Sequence, residues 1–293
     1  MRQCARCFAV LVVLGATSQA WGQEESYPIR LRRALKVGDV YDTHVTLEQT
    51  ETATIIVAQL VPQEKSRERK VDLQGRWKVL EVNADGRPTL LELTVKKFTD
   101  ETGQSLIHAN KVIEVKREAE QSDFSMKGGG EISEDAKAIL RILNRPVREG
   151  DLNEDDVSGS KMPRKVGESW AIHSENGVKV ASRDGLTIDP KDMTGHMTLK
   201  GVETINGGKA LRIVGTVEMT HLKLPVPPGV TLESCDEKVQ CSGLYPVDLS
   251  QPHAENETIT DRRVVMSRNG AKTEVKAHGV LKETMTPVSP VKK

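Results

Sequence analysis

Apolar and polar residues change places at nearly every step along much of this chain, and no other feature limits its fold as tightly. Tyr41, Thr43, Val45 and Leu47 alternate with Asp42, His44, Thr46 and Glu48. Leu91, Leu93 and Val95 lie opposite Glu92, Thr94 and Lys96, and Leu73, Gly75, Trp77 and Val79 keep the same period. Ile29, Leu31, Arg33 and Leu35 alternate with Arg30, Arg32 and Ala34. Successive side chains of a strand point to opposite faces, so this is the pattern of half-buried strands. Turn signals punctuate it: Asn83-Ala84-Asp85-Gly86, Asn206-Gly207-Gly208 and Asn269-Gly270. Asn-Gly favours positive φ at both central positions of a tight hairpin. The expected fold class is mainly β, an antiparallel curved sheet or incomplete barrel.

One segment has helical spacing instead. Ser133 can cap it, Glu134 and Asp135 suit its first turn, and Ala136, Ile139, Leu140 and Leu143 share a face. Asn144 and Pro146 end it, which places one helix near 133–143. Residues 146–163 are polar and aperiodic and read as a linker or long loop. They separate a first β-rich half, 23–145, from a second, 164–293. Pro62–Lys70 reads as an exposed, charged connection.

The two halves echo each other as pseudo-repeats. Lys36-Val37-Gly38-Asp39-Val40-Tyr41 matches Lys165-Val166-Gly167-Glu168-Ser169-Trp170. Gly75, Trp77, Val79 and Val82 then match Gly195, Met197, Leu199 and Val202. Leu31, Leu35, Lys36, Gly38, Asp39 and Tyr41, followed later by Val166, Gly167 and Trp170, make the chain resemble an uncharacterised family of secreted proteins from planctomycete-type bacteria. That resemblance implies a mainly-β fold and an exported location, and it carries no catalytic residues.

Residues 1–22 have the order of a secretory signal peptide. Arg2 and Arg6 precede the apolar run Phe8–Gly15, and small residues follow it up to Gly22. The run is much shorter than the roughly 20 residues needed to span a bilayer. Cleavage after Ala20 or Gly22 is expected, giving a secreted or periplasmic protein with no transmembrane segment in the mature chain. Cys4 and Cys7 leave with the signal. Cys235 and Cys241 remain, six positions apart, and an oxidising compartment favours a disulfide between them.

Basic and acidic residues balance at 42 each, and aromatics make up only 3%. Nothing here grips a phosphate backbone or stacks bases, so a nucleic-acid partner is disfavoured. No cofactor motif appears. The histidines at 44, 108, 173, 196, 221, 253 and 278 show no zinc spacing. Asp151, Asn153 and Asp155 have the first half of a calcium loop, but Asp156 stands where a glycine should turn it and Met162 where a bidentate glutamate should close it. They remain a weak calcium candidate. Ser158-Gly159-Ser160-Lys161 matches an acyl-transfer nucleophile motif in a loop context that does not suit it.

Tyr41, Trp77, Val79, Leu93 and Trp170 are the candidate ligand-binding residues, with hydrophobic core as the competing reading. The leading functional expectation is an exported, non-catalytic binding or envelope-associated protein. Its partner would be an apolar small molecule, a lipid, or another envelope protein. An extracytoplasmic hydrolase built from dispersed histidines and acids is one alternative. A structural interaction module of the cell envelope is the other.

Overall fold

A computed structural model describes residues 25–288, except 58–60, 149, 184, 206 and 252–253. The expected signal segment, with Cys4 and Cys7, lies outside the described residues, as do Asn206 and His253.

The first half is an antiparallel meander: β2 (Val40–Ile56), β3 (Gln63–Val82), β4 (Pro88–Thr99), β5 (Val112–Arg117) and β6 (Ser122–Met126). The second half adds β8 (Ser169–Ala171), β9 (Met193–Ile205), β10 (Gly208–Met219), β11 (Thr231–Pro246), β12 (Glu255–Arg268) and β13 (Ala271–Pro287). All eleven join one open sheet in the order β6-β5-β4-β3-β2-β13-β12-β11-β10-β9-β8. A two-stranded ribbon, β1 (Ser26–Tyr27) with β7 (Arg164–Lys165), completes the β structure among the described residues. The mainly-β, antiparallel expectation holds.

Turn chemistry works as the sequence implies. Asn269 and Gly270 have φ of 49° and 78°, and Arg268 pairs with Ala271 across them. Asn83 Oδ1 accepts from the Asp85 and Arg87 backbone N–H groups at 3.0 Å each, which closes the β3–β4 turn.

The repeated motif folds twice into one geometry. Asp39 Oδ2 accepts from Lys36 N at 2.8 Å, and Glu168 Oε2 accepts from Lys165 N at 3.0 Å. Gly38 and Gly167 have φ of 93° and 89°, the left-handed region that glycine enters freely. Gly38 N donates to Val79 O and Gly167 N to Leu199 O, at 2.9 and 2.7 Å. Val79 and Leu199 are the residues that the sequence echo aligns.

Both halves bury apolar side chains on one face of the sheet. Val275, Leu281 and Met285 share a face of β13, since a strand repeats every two residues. Leu281 and Met285 pack against a first core and Val275 against a second. The first core contains Leu73, Val79, Leu93, Phe98 and Ile113, covered by α1 (Glu134–Leu143) through Ala136, Ile139 and Leu140. Ser133 caps α1, its hydroxyl accepting from Ala136 N. The second core contains Trp170, Met193, Met197, Leu199 and Ile213, together with Tyr27, Ile29 and Leu31 from the N-terminal segment.

Four sequence expectations need correction. First, the chain has further helices, α2 (Glu154–Ser158) and α3 (Ser174–Arg183). Second, α2 lies within the segment read as a linker: Asn153 caps it, and Asp156 answers Asn153 N in a capping box. Third, Gln63–Lys70 belongs to β3, where it pairs with Glu48–Ile55 of β2. It is exposed on both faces, so it has no apolar period to read.

The fourth concerns Cys235 and Cys241, which are free thiols on the one strand β11 and not a disulfide. Six strand residues span about 20 Å at roughly 3.3 Å each. A disulfide needs Cα atoms roughly 4.4–6.8 Å apart. Strand geometry therefore forbids the bond. Cys235 is instead buried in the second core, Cys241 packs against its edge, and burial pushes both thiols up.

Candidate binding site

A cavity of about 550 Å³ opens between the two cores, on the face of the sheet that carries both. Its floor is first-core surface: Tyr41, Val45, Leu73, Trp77 and Leu91. Met285 of β13 and Val180 of α3 extend the apolar wall. Burial pushes the phenols of Tyr41 and of Tyr245, on the β11 side, far above their usual range, so both remain neutral.

The wall also carries arginines, and backbone carbonyls hold several of them. The N-terminal segment crosses the cavity as a strap. Leu31 N donates to Asp155 Oδ1 at 2.6 Å, and Leu35 N donates to Gly86 O at 3.2 Å. Arg33 Nη2 donates to Pro246 O at 2.6 Å, tying the strap to the end of β11. Its Nη1 donates to the Arg30 and Arg32 carbonyls. On the opposite side Arg117 Nε donates to Arg145 O at 2.7 Å. Arg87 bonds the backbone oxygen of Asp151, whose carboxylate also meets Arg183 at 2.9 Å. Asp151 is only 11% exposed, so this pairing is shielded from solvent.

The candidate calcium ligands are thereby engaged elsewhere. Asp151 faces Arg87 and Arg183, Asn153 caps α2, and Asp155 anchors the strap. Among the described residues no group of three or more His, Cys, Asp or Glu side chains is placed to hold a metal ion.

Of the five sequence-predicted ligand residues, Tyr41 and Trp77 reach the cavity. Val79 and Leu93 are fully buried behind it in the first core. Trp170 lies in the second core, its Nε1 donating to Ser158 O at 2.8 Å and its ring beneath Arg164. The five do not form one site.

Sequence reasoning missed the arginines, although two carried a signal. Arg33 occupies the apolar phase of Ile29, Leu31 and Leu35. Arg117 follows the buried Ile113 and Val115 on the same face of β5. A guanidinium in an inward phase marks a wall that is not simple core.

The described histidines lie outside the cavity lining. His44 pairs with Asp72 at 3.1 Å and His278 with Asp261 at 2.7 Å. Both stand at even positions of strands whose odd positions face the cores, so they occupy the opposite face of the sheet. No helix among the described residues is long and apolar enough to cross a membrane.

Scans against protein-family models and against curated proteins return no match to this sequence. Among solved structures it superposes on the attachment invasion locus protein Ail of Yersinia pestis at 6% identity and a TM-score of 0.16, covering 85% of this chain and 99% of that one. DynF from the dynemicin biosynthesis pathway of Micromonospora chersina is similar at 10% identity and 0.18, covering 96% of each chain. A LolA-superfamily protein of Nitrosomonas europaea follows at 8% and 0.13, covering 83% and 86%. At TM-scores this low the likenesses add nothing to the geometry, and the functional reading rests on the cavity.

Proposed function

We propose that this is an exported, non-catalytic binding protein that takes an apolar body into the cavity between its two cores. The observation that carries this reading is the pairing of a volume of about 550 Å³ with a floor of Tyr41, Val45, Leu73, Trp77 and Leu91. Ligand sites commonly fall at roughly 300–1,000 Å³ and are mostly apolar with a few placed polar groups. The charge, apolar run and small residues of the first 22 positions support export to the periplasm or beyond.

The neutral, environment-sensitive probe N-phenylnaphthylamine tests the reading. Its fluorescence should rise on mixing with the protein, and Val180→Trp together with Met285→Trp, which fill the cavity, should abolish the rise without changing the circular-dichroism spectrum. Unchanged probe binding in a folded double variant would refute the assignment.

A further inference from the structure

The cavity has a wall that an apolar guest alone does not explain. Arg32, Arg33 and Arg117 line it, and none of the three makes an ion pair among the described residues. Other arginines nearby are matched: Arg87 and Arg183 share Asp151, and Arg148 meets Glu120 at 3.0 Å. Arg33 and Arg117 donate to neutral carbonyls, and Arg33 also lies over the neutral Tyr245 ring at 5.9 Å. Arg32 Nη2 and Arg33 Nε are buried with no hydrogen-bond partner among the described residues.

Leaving guanidinium donors in such a place is costly. A guanidinium cannot shed its proton, and a buried donor left unmatched loses its full hydration. Burial pushes both Arg33 and Arg117 down. The acids that oppose this, Asp155 and Asp248 for Arg33 and Glu154 for Arg117, act through space without forming a pair. Positive charge thus faces the cavity from two independent elements, the strap and the end of β5.

We infer that the cavity recognises an oxyanion, carboxylate or phosphate, carried on the apolar body of its ligand, with Arg33 and Arg117 as the gripping residues and Arg32 beside them. The planar fork of a guanidinium matches both oxyanions bidentately, and such charge-assisted bonds are roughly twice as strong as neutral ones. The apolar floor then takes the tail while the strap and β5 take the head. This inference rests on the cavity reading above and deepens it by naming the ligand's chemistry.

The test is displacement of N-phenylnaphthylamine from the mature protein by dodecanoate, dodecyl phosphate, dodecanol and inorganic phosphate. Either amphiphilic anion should displace the probe at concentrations roughly 10-fold or more below dodecanol, the effect of charged hydrogen bonds on affinity. Inorganic phosphate, having no tail, should not displace it. Arg33→Gln and Arg117→Gln should each remove most of that advantage while still binding the neutral probe. The wild-type comparison needs no variant, so it decides the matter even if a variant fails to fold. Equal displacement by dodecanol and dodecanoate would overturn the oxyanion inference and leave the apolar cavity standing. Displacement by inorganic phosphate as strong as by dodecyl phosphate would overturn the amphiphilic ligand. If neither probe nor amphiphiles bind, both readings fall together.

Discussion

Behind Gly38 the first core is filled by Leu73, Val79, Leu93, Phe98 and Ile113, stiff side chains with essentially no exposure. Behind Gly167, which makes the same turn, the second core is rich in sulfur: Met193, Met197, Met219 and Cys235. Methionine has three soft torsions and fills irregular gaps, whereas branched and aromatic residues hold fixed shapes. The aligned glycines run against this contrast, because the tighter backbone contact lies in the second half. A Cβ on Gly75 would meet the tip of Leu93 at 2.4 Å, while one on the aligned Gly195 would meet the backbone oxygen of Thr216 at 2.5 Å. One turn geometry can therefore introduce two kinds of interior. The adaptable one also admits a foreign segment, Tyr27–Leu31, into its packing.

The sharpest way to break this comparison is to remove volume. Leu93→Ala should destabilise the protein by about 2–5 kcal/mol, the usual range for a deep leucine truncation. Met197→Leu, which conserves volume, should cost less than about 1.5 kcal/mol. Urea unfolding measures both, and similar losses would show that the second core is as rigid as the first. Next, Gly195→Ala should cost about 1–3 kcal/mol by overpacking, more than Gly75→Ala. The new methyl group at 195 meets a backbone oxygen at 2.5 Å, whereas at 75 the nearest backbone oxygen, of Thr94, is 3.0 Å away.

The turns themselves should behave alike. A Cβ on Gly38 or Gly167 meets nothing within 4 Å, so only backbone strain opposes substitution. Gly38→Ala and Gly167→Ala should each cost about 1–2 kcal/mol, and unequal losses would break the equivalence of the two motifs.

The smallest effect distinguishes the halves by pH. Hydrogen bonds from Arg76 and Lys96 hold the Asp42 carboxyl down to about 2. A lowered folded-state pKa gives stability that is present above the ordinary carboxylate range and lost as pH falls from about 4 towards 2. The pair is partly exposed, so Asp42→Asn should remove less than about 1 kcal/mol at neutral pH. Ala171 occupies the matching place in the second motif, so no counterpart exists there. Acid titration of wild type and variant should therefore show the difference above about pH 4 and its disappearance as pH falls towards 2.

The sequence made the sheet legible wherever one face is buried, because β2, β4 and β10 then alternate. It made the hairpin at Asn269-Gly270 and the helix at 134–143 legible through local chemistry. It hid Gln63–Lys70, which is held in β3 by pairing alone, with both faces wet. It hid α3, whose Gly177, Val178 and Val180 are weak helix formers. Cys235 and Cys241 read as a disulfide pair because the charged run between them breaks the apolar period that would have shown one continuous strand. The cavity was half legible: Tyr41 and Trp77 stood in their strands' inward phase. Arg33 and Arg117 stood in that phase too, but the wall joins segments as far apart as Arg33, Arg87, Arg117 and Arg148, and their convergence shows only in the fold.

The pairing of β2 with β13 joins Tyr41 to Pro287. A growing chain makes β2 among its first strands and β13 last, so the meander from β2 to β6 can assemble long before its neighbour exists. In that interval a 17-residue strand presents one unpaired row of amides. Contacts between such distant positions are slow to form, which lengthens the exposure. Glu48 and Glu51, on the stretch that waits for β13, supply repulsion against a second chain docking there. A chain cut before Ala271 would keep that edge open permanently and should aggregate through it.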